Sequence, residues 1–166
     1  AEMVSLALKG ISDVINEIRS ISHALVPPIL GDIGIIESIE ALVETMRYVQ
    51  LLKVDFDYFD FNEDRVPENV QLMLYRIIQE GMNNIVKHAD ATHVNIIIKN
   101  KNRQLTLELK DNGKGFNGAT VRRGLGLTNI KNRTDLFGGT VSIESAPGAG
   151  CRLKVVIPDA AQAVVS

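Results

Sequence analysis

Hydrophobic positions recur along this chain with changing periods, and the changes mark out the elements. Near the start, Val4, Leu8, Ile11, Ile15, Ile18, Ser22 and Leu25 alternate at spacings of four and three. That is the seam of a helix that packs on other helices. One helix cannot bury such a seam alone, so a partner helix or the chain's own domain must cover it. Pro27 and Pro28 end the pattern. A second helical pattern covers roughly Ile35 to Tyr48, with Asp32 as the candidate N-cap. From Lys53 to Phe61, Val54, Phe56 and Tyr58 alternate with Lys53, Asp55 and Asp57, which predicts a strand. Asn62–Glu63–Asp64 reads as a turn, and a helix runs roughly from Glu68 to His88.

Two strands follow, Thr92 to Lys99 and Gln104 to Lys110, joined by a hairpin turn at Asn100–Lys101–Asn102. Asp111 to Arg123 has little periodicity and reads as a loop. A helix from Leu125 to Phe137 ends at Gly138–Gly139. Thr140 to Ser145 and Cys151 to Ile157 are the last strands, and the tail after Pro158 is expected to fray. Helices and strands interleave, yet most successive strands are joined by turns. The expected class is therefore α+β, a mixed sheet with helices layered on one face, rather than a doubly wound sheet.

Composition narrows the picture. A length of 166 residues fits one domain with an appendage, and 45% apolar residues suffice for a sizeable core. A net charge of −2 gives no reason to expect nucleic-acid binding. The single cysteine, Cys151, rules out an internal disulfide and suits a reducing compartment. No apolar run is long enough to span a membrane, and no signal peptide is visible. The opening Ala1–Glu2–Met3 reads as mid-helix, as in a piece of a longer protein. The expected setting is cytoplasmic, with any inner-membrane anchor of the intact protein outside this sequence.

The chemistry begins on the helix that ends at His88. At 100° per residue, Leu74, Ile78, Met82, Ile85 and Ala89 fall on one side, with Glu80, Asn83, Asn84 and Lys87 on the other. Glu80 and Asn84 are neighbours at i, i+4. A carboxylate and an amide oxygen are hard ligands suited to Mg²⁺, and Lys87, with His88 beside it, can meet phosphate. A solvated polar face is the plain alternative. Two adjacent Asn residues and Gly81 cost helix stability, which favours a compensating role.

Asp111 closes an apolar strand and is followed by Asn112–Gly113–Lys114–Gly115. A carboxylate there can accept a hydrogen bond from an exocyclic amine, and glycines let backbone approach a planar base. An ordinary turn would use the same residues. The remaining acidic positions of a calcium loop are missing. Gly124–Leu125–Gly126–Leu127 opens a helix whose N–H groups favour phosphate. A hinge is the alternative. The run is neither a dinucleotide fingerprint nor a Walker A sequence.

In this order and spacing, the motifs resemble the ATP-binding domain of sensor histidine kinases, part of the group shared with gyrase, Hsp90 and MutL. Gln79–Glu80 to Ala89 is similar to the N box, Asp111 to Gly115 to the G1 box, and Gly124 to Leu127 to the G2 box. Phe137–Gly138–Gly139–Thr140 through Ile157–Pro158 also fits. The likeness covers roughly Ile33 to Pro158. Arg76–Ile77–Ile78–Gln79–Glu80, Asn84 to Ala89 and the short segment between Gly115 and Gly124 resemble the kinases related to nitrate and lipid-fluidity sensors. There the second helix of a dimerising hairpin ends much as Ile18 to Pro28 does here.

The resemblance implies a two-layer α/β sandwich of the Bergerat type, preceded by one hairpin helix. Residues 1–28 would be the end of that hairpin, 29–158 the ATP-binding domain and 159–166 a tail. Asn84 would ligate Mg²⁺, and Glu80 would orient or activate the phosphoacceptor. Lys87 and His88 would meet phosphates. Asp111 would read the adenine amine, Gly113 and Gly115 would shape the base pocket, and Gly124, Gly126 and Leu127 would lie at the phosphates. ATP and Mg²⁺ are the implied ligands. A response-regulator receiver domain and a second copy of the intact protein are the implied partners. Cys151 stands where many relatives carry Thr at the adenine edge. No acceptor histidine in a His-Asp or His-Glu setting is seen, since His23 matches the end of the second hairpin helix and His93 begins a strand. The expected function is γ-phosphoryl transfer from Mg-ATP to a histidine outside this sequence. The alternatives are a serine kinase of the anti-sigma type, and an ATP-gated clamp or degenerate scaffold.

Overall fold

The computed structural model describes residues 30–50, 52–117 and 125–158. The heptad segment with His23, Gly124 and the tail 159–166 lie outside the described residues. The elements in order are α1 (Leu30–Gln50), β1 (Lys53–Phe59), a 3-10 turn (Glu63–Arg65), α2 (Glu68–His88), β2 (His93–Lys101), β3 (Gln104–Asp111), α3 (Leu125–Asp135), β4 (Thr140–Ser145) and β5 (Cys151–Pro158). They build a five-stranded sheet in the order β1-β2-β3-β5-β4. β1 and β2 are parallel and every other pair is antiparallel, so the sheet is mixed, as the connections imply.

The three central strands β2, β3 and β5 bury one face each because their apolar residues fall at every second position. Ile96 stands opposite Leu109, which stands opposite Leu153. Ile98, Leu107 and Val155 repeat the row one step on, and all six side chains are buried. The intervening positions carry Thr106, Glu108, Lys110, Arg152 and Lys154. On that face Arg152 donates to Glu108 at 2.8 Å and lies 3.5 Å from Glu144. The hydrogen bond from Arg152 holds the Glu108 carboxyl below the usual carboxylate range.

α2 buries Val70, Leu74, Ile77, Ile78 and Met82. Gly81 sets how near it comes to β3: a Cβ there would lie 2.6 Å from Leu109 Cδ2. α3 adds Ile130 and a fully buried Thr134, whose hydroxyl donates to the Ile130 carbonyl at 2.9 Å.

Three readings are refined in detail. The alternation along β1 gives the expected strand, but of its apolar row only Val54 is buried, Phe56 is half-buried and Tyr58 is exposed. β1 is an edge strand, so the cover thins along it. In α1 the helix breaks at Gly34 (φ 77, ψ 170), a left-handed backbone that glycine adopts at little cost. The new start is capped from afar: Ile36 N–H donates to Glu63 Oε2 at 3.2 Å. Asp32, the expected cap, has its side chain outside the described residues. The segment read as a plain turn, Asn62–Glu63–Asp64, opens the 3-10 turn, with Asn62 Oδ1 accepting from Asp64 N–H at 3.0 Å.

Candidate functional site

A cavity of about 400 Å³ opens between α2, the C-terminal end of β3, the start of β5 and the first turns of α3. From α2 it is lined by Gly81, Asn84, Ile85, His88 and Ala89, a stripe at helical spacings of three and four. The helical wheel had set Ile85 and Ala89 on the face opposite Asn84. The cavity instead straddles the border between the apolar and polar faces. Lys87 is exposed and does not line it.

Glu80 stands beside the cavity rather than in it. A Cβ on Gly126 would overlap the Glu80 carboxylate and approach both Asn84 amide atoms to 3.0 Å. Glycine lets the first turn of α3 come this close without displacing the Glu80 and Asn84 side chains. Asn84 Nδ2 is buried and has no hydrogen-bond partner among the described residues. A buried amide end without a partner costs free energy, so such an atom calls for a functional explanation.

Asp111 forms the floor where β3 ends. It is 5% exposed, and its Oδ1 accepts from Gly113 N–H at 2.8 Å, which leaves the second oxygen for a donor on a ligand. Register places Cys151 directly opposite it on β5. Burial pushes the Cys151 thiol up to about 11, the Asp111 carboxylate adds to the rise, and a hydrogen bond with Ser145 opposes it. The thiol is therefore protonated near neutral pH and is a weak hydrogen-bond partner.

The glycine loop is held on two sides. Lys114 N–H donates to the Ala89 carbonyl at 2.8 Å, and a Cβ on Gly113 would overlap that same carbonyl. Gly115 has φ 59, and a Cβ there would overlap the Ala146 carbonyl. Gly148 N–H donates to the Lys114 carbonyl at 2.7 Å, and Phe116 N–H donates to Ser145 Oγ at 2.9 Å. Lys114 Nζ pairs with Asp90 at 2.7 Å on the rim.

The structure thus brings Asn84, His88, Asp111, Gly115, Gly126 and Leu127 to one cavity. Gly113 is buried just behind it, Glu80 borders it and Lys87 stays outside. Sequence reasoning did not assign Leu109, Phe116, Ile130 or Leu153 to the site, although all four line it. In sequence Leu109, Ile130 and Leu153 carry the same period as core residues and Phe116 sits in an aperiodic loop, so no local signal separates a lined cavity from a filled core.

The residues fit a nucleotide. The volume lies within the range of small-molecule sites, the walls are largely apolar, and one buried carboxylate faces the space. No group of three or more His, Cys, Asp or Glu suited to a metal occurs among the described residues. A Mg²⁺ ion here would rest on the Asn84 amide oxygen, waters and ligand phosphates, which suits that ion.

Residues 69–161 match the family model described as histidine kinase-, DNA gyrase B-, and HSP90-like ATPase. The chain is 34% identical over 160 residues to the signal transduction histidine-protein kinase/phosphatase DegS of Brevibacillus brevis, covering 92% of this chain and 41% of that protein. It is 33% identical over 144 residues to the sensor histidine kinase LiaS of Bacillus subtilis, covering 86% of this chain and 39% of that protein. The chain therefore spans about two fifths of these curated relatives. Among solved structures, the histidine kinase domain of the Erythrobacter litoralis EL346 blue-light activated histidine kinase superposes with a TM-score of 0.61 at 16% identity, covering 76% of this chain and 60% of that one. Full-length ShkA in complex with AMPPNP gives 0.61 at 17% identity, covering 75% and 29%. At these identities the structures speak to the fold alone.

Proposed function

The chain belongs to the histidine kinase-, DNA gyrase B- and HSP90-like ATPase family, and from that premise we propose that it binds Mg-ATP in this cavity as the catalytic ATP-binding part of a two-component sensor histidine kinase. One observation carries the reading: a buried carboxylate with one oxygen committed to its own loop faces an apolar cavity of nucleotide size, at the residue where the G1 motif begins. In this reading Asp111 accepts the exocyclic amine of adenine. Gly113 and Gly115 shape the base pocket by letting the loop pack against the Ala89 and Ala146 carbonyls. Asn84 turns its amide oxygen to Mg²⁺, and its buried, unpartnered Nδ2 is left to donate to an oxygen of the bound nucleotide or a water. His88 stands on the cavity wall for the phosphates, with the Lys87 ammonium beyond it. Gly126 and Leu127 bring the N-terminal N–H groups of α3 to the same end, and Gly124 precedes them outside the described residues. Glu80 stands at the border of the site to orient or activate an acceptor. Phosphoryl transfer needs chiefly positioning and charge neutralisation, which bound Mg²⁺ supplies at the phosphate oxygens.

In the intact protein the γ-phosphoryl group would pass to a histidine and then to a response regulator, within a dimer. Incubating the 166-residue chain with γ-labelled ATP tests the assignment. The expected result is nucleotide binding without stable self-labelling. Acid-labile label that disappears in His23→Ala would place the acceptor in this chain. Acid-stable label on a partner serine would favour a serine kinase.

A further inference from the structure

Asn112 reads in sequence as turn chemistry between Asp111 and Gly113. In the structure its side chain holds the start of β2. Asn112 Oδ1 accepts from Thr92 N–H and from His93 N–H, both at 2.9 Å. Asn112 Nδ2 donates to Thr92 Oγ1 at 2.9 Å, and its backbone N–H donates to the His93 carbonyl at 3.2 Å. The β2–β3 ladder ends at the pair Val94 and Asp111. The Asn112 amide thus continues the pairing past the last strand residue, where a turn would otherwise leave the β2 edge. The next backbone anchor is Lys114 N–H on Ala89. Between them lies Gly113, whose N–H fixes the Asp111 carboxylate at 2.8 Å.

We propose that Asn112 is a positioning residue: by fastening the Asp111–Gly113 turn to Thr92 and His93, it sets the orientation of the Asp111 carboxylate and so the cavity's selectivity for a base bearing an exocyclic amine. The proposal rests on the nucleotide reading above and adds a residue to it. Asn112 is exposed and does not line the cavity, so it touches no ligand itself. Its effect passes through the Gly113 N–H. A side-chain amide suits the place because it offers one acceptor to two converging N–H groups and a donor to the hydroxyl.

The test compares ATP with purine riboside triphosphate, which has the same phosphates and ring but no exocyclic amine. Affinities of the 166-residue chain are measured by calorimetry with Mg²⁺ for the unmodified protein, Asn112→Ala and Asn112→Asp. Losing this anchoring should weaken ATP about tenfold in Asn112→Ala. Purine riboside triphosphate should change about twofold at most, so the preference between the two ligands shrinks. Asn112→Asp keeps an acceptor for both N–H groups and should restore most of the preference. Equal weakening of both ligands would make Asn112 merely structural and overturn the proposal, as would an unchanged preference in Asn112→Ala. If the unmodified protein binds neither ligand, the nucleotide reading fails first. If it binds both equally, Asp111 does not read the amine and the selectivity role falls while nucleotide binding stands. Should Asn112→Ala not fold, Thr92→Val removes only the hydroxyl contact and should narrow the preference in part; an unchanged preference there, or a preference lost in Asn112→Asp, would overturn the proposal.

Discussion

Two residues on the cavity floor, Asp111 and Cys151, face each other across β3 and β5 and have opposite chemical characters. In the proposed reading Asp111 carries the recognition. Cys151 is held protonated, because burial and the neighbouring carboxylate both disfavour its thiolate. Alkylation needs the thiolate. Reaction of Cys151 with a maleimide-type reagent should therefore be slow near neutral pH and rise about tenfold per pH unit toward a midpoint near 11. Bound nucleotide should slow it further, since the thiol lines the cavity. The sign for stability is opposite to that of a paired carboxylate. A thiol raised from 9.0 to about 11 keeps its proton longer in the folded state, so stability is lost as pH rises through that window. At this scale the sequence was readable where a residue type has one chemistry. Asp111 followed by Asn112 and Gly113 could be found because few residues combine an acceptor with a turn. The role of Asn112 could not, since its partners Thr92 and His93 are twenty and nineteen residues away.

At the scale of elements, the cavity depends on how closely α2 lies on the sheet. Gly81 sits between Glu80 and Asn84 and faces Leu109. Gly81→Val should force the helix outward and cost about 2 kcal/mol, read as a lower denaturant midpoint with an unchanged m-value. Nucleotide affinity should fall with it, because Asn84 and His88 would move off the cavity. Gly81→Ala is milder, since the Leu109 side chain can turn away and alanine favours the helix. An unchanged midpoint in Gly81→Val would contradict the tight approach. Every strand and helix from residue 53 onward was legible from periodicity, with ends displaced by only a few residues. What escaped was the cover over each element. The pattern Val54, Phe56, Tyr58 has the right period, but burial depends on where β1 falls in the sheet, and an edge position is a property of the whole topology. The same holds for the cap of α1. Glu63 supplies it from beyond β1, which no local motif reveals.

For the whole molecule, the polar face of the sheet tunes stability while the helix-covered face makes the site. Arg152 draws Glu108 and Glu144 together on that face, and His93 Nε2 lies 2.7 Å from Asp55 Oδ2 near the β1 edge. The hydrogen bonds from Arg152 and His93 lower the Glu108 and Asp55 carboxyls from 4.5 and 3.8. Both contributions to stability are present above those values and are lost as pH falls below them. Glu108→Gln should flatten the acid side of a plot of thermal midpoint against pH, and an unchanged acid limb would show the Arg152 pair to be inert. The site itself assembles from α2, the end of β3, the glycine loop and α3, so its unity was legible only because three short motifs keep one order and spacing. The direct test of the account is calorimetric titration of ATP with Mg²⁺ into the unmodified chain, Asp111→Asn and Asn84→Ala. Binding by the unmodified chain is predicted, weakened about 10- to 100-fold in Asp111→Asn with or without the metal, and in Asn84→Ala only when Mg²⁺ is present. No binding by the unmodified chain, or full affinity in Asp111→Asn, would contradict it.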